Sequence, residues 1–210
     1  MNTAKFTKKL LAQSFAQLAR EKQIDDITVN DIVELCGISR TTFYRHFADK
    51  YELMNWIFDQ YIESLTYRYS HISCYKALMF DIATFFGENR ELFLRMLDYN
   101  GQNSFKEYFL AKTAEYVSTM LKRIQKKDHL TLNEEYMVIF NSNGVLNTLH
   151  CWLLSGCKES PKDIAQILID SMPQSIREYF LPFYHNDVWE MPILPDDWDW
   201  SHRPSDISFK

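Results

Sequence analysis

The sequence predicts an all-α protein: an N-terminal three-helix domain with a helix-turn-helix, followed by a larger C-terminal helical domain. Three observations carry this. Only five glycines and six prolines occur in 210 residues, too few for an all-β chain, which needs a tight turn every few residues. Apolar residues recur at three- and four-residue spacing, the period of one helix face. Several of these stripes follow Ser, Thr or Asp with an acid three residues on, a helix-start signature.

Residues 3–22 place Phe6, Leu10, Leu11, Phe15, Leu18 and Ala19 on one stripe. Thr28 precedes VNDIVELC, with Asp31 at the capping-box position and Ile27 and Ile32 spaced as a hydrophobic staple. Ser39 precedes RTTFYRHF, with Ile38 and Phe43 as a second staple. Asp49 and Glu52 open a helix over 50–69 carrying Leu53, Trp56, Ile57, Tyr61 and Leu65. Further helices are predicted over 74–86, stopped by Gly87, over 90–98, from Ser104 and Glu107 to residue 127, and over 134–155, stopped by Gly156. Ser160-Pro161-Lys162-Asp163 supplies a cap, a proline at the first helical position and an acid near the positive end of the dipole. That helix carries Ile164, Ile167, Leu168 and Met172; Pro173 interrupts it, and a short helix over 174–181 follows. Residues 186–210 hold three prolines, six acids and three tryptophans without a period. They read as an extended tail whose Trp189, Ile193, Leu194, Trp198 and Trp200 dock on the chain's own body or on a second subunit. The predicted divisions are 1–50, 51–185 and the tail over 186–210.

Apolar residues make up 46% of the chain, enough for a packed core. The net charge of −5 excludes a protein that coats nucleic acid by bulk charge. The charge is uneven: residues 1–50 hold eight Lys/Arg against six Asp/Glu, and residues 51–210 hold fifteen against twenty-two. The basic end is therefore where a nucleic-acid contact is sought. No apolar run reaches the ~18 residues of a membrane span. The first twenty residues are amphipathic, broken by Lys8, Lys9 and Gln13, and read as a helix of the mature chain, not a signal peptide. Cys36, Cys74, Cys151 and Cys157 form no CxxC pair and no zinc-finger spacing. Reduced thiols, a cytoplasmic location and no metal or cofactor are expected.

Two short helices joined by Leu35-Cys36-Gly37-Ile38-Ser39 form the pattern of a helix-turn-helix. Gly37 is suited to the positive φ that leaves the first helix. Ser39 caps the second helix, and its hydroxyl beside the helix N-terminal amides suits a DNA phosphate. The second helix carries Arg40, Thr41, Thr42, Tyr44, Arg45 and His46 around the apolar pair Phe43 and Phe47. Every polar type there bonds phosphate or a base edge: Arg40 suits guanine, and a Thr41 or Thr42 methyl suits a thymine methyl.

Residues 27–53 closely resemble the DNA-binding motif of the TetR/AcrR regulators. The matching positions are Thr28, Asp31-Ile32, Gly37-Ile38-Ser39, Phe43-Tyr44, His46-Phe47, Asp49-Lys50 and Leu53, with Val33 and Cys36 standing where small residues are common. The resemblance implies phosphate contacts for Thr28, Tyr44, His46 and Lys50, and for Ser39 beside its capping role. It places Arg40, Thr41, Thr42 and Arg45 at or near base edges. Residues 85–172 also resemble the DhaS-like C-terminal type within that family, through Asn89-Arg90-Glu91-Leu92-Phe93, Ser104-Phe105, Tyr108, Gly144, Trp152-Leu153, Gly156 and Glu159-Ser160-Pro161.

The resemblance implies a homodimer, a double-stranded DNA operator, no membrane and a small-molecule effector. Val138, Ser142, Val145, Leu149 and Trp152 make one stripe on the helix over 134–155, and Ile164 and Leu168 continue the candidate dimer interface on the next helix. Candidate pocket residues are Tyr61, Phe93, Met96, Phe109, Tyr116, Phe140, Asn143, Asn147, His150 and Trp152, an apolar set with a few polar groups. The resulting expectation is a ligand-responsive repressor on a palindromic operator, with a DhaS-like coactivator acting through a partner regulator as the alternative. An enzyme is not expected: the chain has no HExxH, GxSxG, P-loop or GxGxxG motif.

Overall fold

A computed structural model describes residues 3–69 and 75–180. Cys74 and the tail over 186–210 lie outside the described residues. The described chain is helical, with no strand: α1 (Thr3–Glu21), α2 (Val29–Cys36), α3 (Arg40–His46), α4 (Lys50–Tyr69), α5 (Tyr75–Glu88), α6 (Arg90–Asp98), α7 (Phe105–Gln125), α8 (Leu132–Leu154), α9 (Pro161–Asp170) and α10 (Gln174–Phe180).

The starts of these helices follow local chemistry. Thr28 and Ser160 each accept from the third helical N–H and are bonded in return by Asp31 and Asp163, completing two capping boxes. A third box, Thr131 with Glu134, starts α8 two residues before the predicted position. Lys127 Nζ and Gln125 Nε2 donate to the same Glu134 carboxylate at 2.5 and 2.8 Å. These bonds and the Thr131 backbone N–H hold Glu134 down to about 2, so the α7–α8 turn keeps its anionic cap at any neutral pH. Asp49 accepts from Tyr51 and Glu52 N–H, while Glu52 reaches back to Ala48 N–H. Asp49 thus caps the helix as predicted, and only the return bond from Glu52 is displaced, from Asp49 N–H to Ala48 N–H.

Gly87 does not stop α5, which runs to Glu88. A Cβ on Gly87 would lie 2.8 Å from Trp152 Cη2, so the glycine admits the Trp152 ring against the helix. Trp152 is 3% exposed, and its Nε1–H donates to Glu159 O at 3.0 Å, which fixes the ring. Gly156 does end its helix, with φ of 86°.

The chain forms two compact units, and each has its own core. The first comprises residues 3–64 and 89–106. In it α1 packs on α2, α3 and α6. Leu11, Phe15, Ala19, Ile24, Ile27, Ile32, Phe43 and Leu53 are within 1% of full burial. Phe105 meets Phe58 edge-on at 5.3 Å and Phe93 at 5.7 Å. The second comprises residues 65–88 and 107–180, as far as they are described. Here α5 packs on α8 and α9, and α8 also meets α9 and α10.

Gly87→Ala is expected to destabilise the protein by about 1–3 kcal/mol, the typical cost of overpacking a filled site. Urea denaturation checks this, and an unchanged midpoint would contradict the close-approach role.

Candidate nucleic-acid interface

The turn between α2 and α3 has the geometry its sequence implies. Gly37 sits at φ 68° and ψ 28°, the left-handed region that a side chain rarely adopts. Gly37 N–H donates to Glu34 O at 3.3 Å, and Ile38 N–H donates to Val33 O at 3.0 Å, closing the end of α2. Ser39 Oγ accepts from Thr42 N–H at 3.2 Å and lies 2.9 Å from Thr42 Oγ1. Phe43 and Phe47 are buried, with ring centroids 6.0 Å apart, and Phe47 meets Trp56 at 5.7 Å. Lys8 Nζ lies 5.0 Å from the Phe47 centroid and 5.7 Å from that of Trp56, a cation over two rings.

With that anchor buried, the rest of α3 faces outward. Ser39, Arg40, Thr41, Tyr44 and Arg45 are exposed, and Thr42 and His46 are half-buried. Tyr44, an aromatic, keeps 50% of its surface exposed. Arg40 Nη2 donates to Tyr44 Oη at 3.4 Å, and its guanidinium lies 5.9 Å from the Tyr44 centroid. The helix carries two arginines and no acid. Such a face offers donors in several directions and nothing that repels phosphate.

Two expected phosphate residues make hydrogen bonds within the chain. The Thr28 hydroxyl donates to Asp31 Oδ2 at 2.7 Å and accepts from Asp31 N–H at 3.2 Å. Hydrogen bonds from the Thr28 side chain and backbone, then from Lys22, hold the Asp31 carboxyl down to about 2. Lys50 Nζ donates to the backbone oxygens of Ile24, Asp25 and Ile27 at 2.7, 2.9 and 2.7 Å. An ammonium has three N–H donors, so in this structure all three meet main-chain oxygens. Sequence pattern does not show this, because the acceptors are main-chain atoms more than twenty residues away.

The structure also corrects the candidate dimer interface. Val138, Ser142, Val145, Leu149, Ile164 and Leu168 are all buried inside the subunit, at 8% exposure or less. They face the core of the second unit. The apolar face of α8 left open carries Leu132, Tyr136, Ile139, Phe140 and Leu154, each between 52% and 70% exposed, with Ile167 of α9 at 44%. The signal was present in the sequence, since α8 is apolar around most of its circumference, but periodicity alone does not say which face turns inward.

The candidate pocket residues fall at both exposed and buried positions. Phe140, Asn143 and Asn147 lie on the exposed face of α8. Asn143 and Asn147 donate to the α8 carbonyls of Ile139 and Asn143. Tyr61, Phe93 and Met96 are core residues of the first unit. Phe109, Tyr116, His150 and Trp152 belong to the second, where Phe109 and Trp152 are buried and burial raises the Tyr116 pKa. Among the described residues no group of His, Cys, Asp or Glu is arranged to hold a metal ion, and no helix is long and apolar enough to cross a membrane.

Comparisons with known proteins agree with this geometry. The family model described as bacterial regulatory proteins, tetR family, matches residues 16–56. A second, described as a transcriptional regulator C-terminal region of TetR type, matches residues 75–174. The HTH-type dhaKLM operon transcriptional activator DhaS of Lactococcus lactis is 26% identical over 138 residues, covering 60% of this chain and 67% of the relative. The solved structure of a dihydroxyacetone kinase operon activator DhaS aligns at TM-score 0.59 and 19% identity, over 82% of this chain and 97% of that one. A TetR transcriptional regulator from Streptococcus agalactiae aligns at TM-score 0.60 and 19% identity, over 82% and 96%. The structural matches show a shared fold.

Proposed function

The chain belongs to the TetR family of bacterial transcriptional regulators, and from that premise we propose that it binds a two-half-site operator as a homodimer and answers to a small-molecule effector. The observation that carries this reading is the outward face of α3, where Ser39, Arg40, Thr41, Tyr44 and Arg45 stand exposed on a helix pinned by Phe43 and Phe47. Phosphate contacts fix the register of a protein on DNA, and base-edge contacts read sequence. Tyr44, Ser39 and His46 take the first role; Arg40, Thr41, Thr42 and Arg45 take the second. Residues 1–50 form the DNA-binding domain in this reading, and 51–185 the ligand-binding and dimerisation domain.

The exposed stripe of α8 supports the homodimer. Tyr136, Ile139, Phe140 and Leu154, with Ile167 of α9, are large apolar side chains on adjoining helices. Large exposed apolar side chains grouped in this way mark an interaction surface, and a second copy is its occupant here, by an isologous contact of one surface with itself. Two recognition helices then address half-sites roughly 34–36 Å apart, or a multiple of that. An effector acts by binding one arrangement of the dimer better than another; Phe109, Tyr116, His150 and Trp152 are its candidate contacts.

The expected sign, repression, has a competitor. The curated relative is named an operon activator, which supports activation as the second reading, including a coactivator that works through another regulator. DNA binding by the purified chain alone separates the autonomous regulator from that coactivator.

Arg40→Ala is expected to lose about 1–3 kcal/mol on the preferred site and relax selectivity at one base pair, as for a bidentate guanine contact. Tyr44→Ala is expected to weaken all DNA alike. Anisotropy titrations on specific and random duplexes check both, and equal losses for Arg40→Ala contradict its base-reading role. Phe140→Asp is expected to give a monomer in sedimentation; an undiminished dimer contradicts the α8 interface.

A further inference from the structure

The Lys50 ammonium closes a loop around the whole helix-turn-helix. It sits on the first residue of α4, just after α3, and reaches back to the turn just before α2. Its three acceptors, Ile24 O, Asp25 O and Ile27 O, belong to one turn, in which Ile27 N–H also donates to Ile24 O at 3.3 Å. Three carbonyl dipoles aimed at one point repel one another, and a cation at their focus converts that repulsion into attraction. A compact ammonium with rotatable donors suits such a focus; a planar guanidinium does not. The turn is also held by Asp26 N–H donating to Gln23 O at 3.1 Å and by its buried side chains Ile24 and Ile27, at 1% and 0% exposure. The next residue, Thr28, is the cap of α2. Lys50 is partly buried there, which lowers its pKa, while Asp25, Asp26, Asp31 and Asp49 oppose the shift. Its charge at the start of a helix is unfavourable for the dipole, and the three carbonyls offset this.

We propose that Lys50 is an internal cation that ties the α1–α2 turn to the start of α4, and so is a positioning residue for the recognition helix and not a phosphate contact. To meet a phosphate it would have to abandon three hydrogen bonds that bracket the motif. Held in place, it sets where α2 begins relative to α4, and α2 sets α3 through the Gly37 turn. The effect on DNA rests on the DNA-binding reading above; the clamp itself does not.

The test uses the full chain with Lys50→Met and Lys50→Arg, titrated into duplex DNA across a range of salt. A clamp predicts that Lys50→Met loses affinity roughly ten-fold at every salt concentration, the scale of one charge-assisted hydrogen bond. It also predicts an unchanged slope of log affinity against log salt, and no rescue by Lys50→Arg. A slope shallower by about 0.9, with affinity restored by Lys50→Arg, is the signature of a lost phosphate contact and would overturn the proposal. Amide hydrogen exchange of residues 24–36 is read on the same variants without DNA. Exchange in Lys50→Met should be roughly ten-fold faster there, as for loss of one such bond from a local opening unit, and unchanged exchange would overturn the clamp. Failure of the wild-type chain to bind any DNA would count against the function and leave exchange to decide the clamp. Should Lys50→Met not fold, Lys50→Gln, which keeps an uncharged amide NH2, carries the same readouts.

Discussion

Everything in the DNA-binding reading depends on the burial of Phe43 and Phe47. A helix of seven residues such as α3 does not persist alone in water, because nucleation costs more than two turns return. It exists because these two rings are pulled into the core of the first unit, with Trp56 and the Lys8 ammonium against Phe47. Burying one face leaves every other position of the helix free to be polar. The caps on either side trim the ends: Ser39 at the start, and the left-handed Gly37 turn that brings the chain in at an angle. The polar face is thus a consequence of the anchor. A change that loosens the anchor moves all the donors at once.

The second unit answers a different constraint. Helix α8 is apolar on two sides, and only one of them is covered by α5, α9 and α10. An apolar surface left in water is unfavourable by about 25 cal/mol per Å², so a helix with large residues such as Phe140 and Tyr136 left open is most stable when a second surface meets it. In the proposed reading, self-association also serves the first unit, since two linked contacts to DNA hold more tightly than one.

Much of the fold is legible in the sequence because its helix starts are local events. Thr28–Asp31 and Ser160–Asp163 are pairs three residues apart, and the helices begin where those pairs place them. The recognition helix is legible for the same reason. What is not legible depends on distant partners. Gly87 reads as a helix stop until Trp152 is seen resting on it. Lys50 reads as a free cation until the carbonyls of residues 24–27 are seen around it. The stripe through Val138 and Leu149 reads equally well as interface or core, and the packing of α5 and α9 decides for core. Phe140, Asn143 and Asn147 read as pocket candidates from the family resemblance and their chemistry, and their place on α8 puts them on its exposed face.

The central claim is that this chain reads DNA by itself, through two copies of α3. Selection of bound duplexes from a random library by the purified protein, at low and at moderate salt, tests it most directly. The account predicts a palindromic site, with half-sites about one helical turn or a multiple apart, enriched at the higher salt where non-specific binding has faded. Recovery of sequence-free duplexes alone, lost as salt rises, would contradict it.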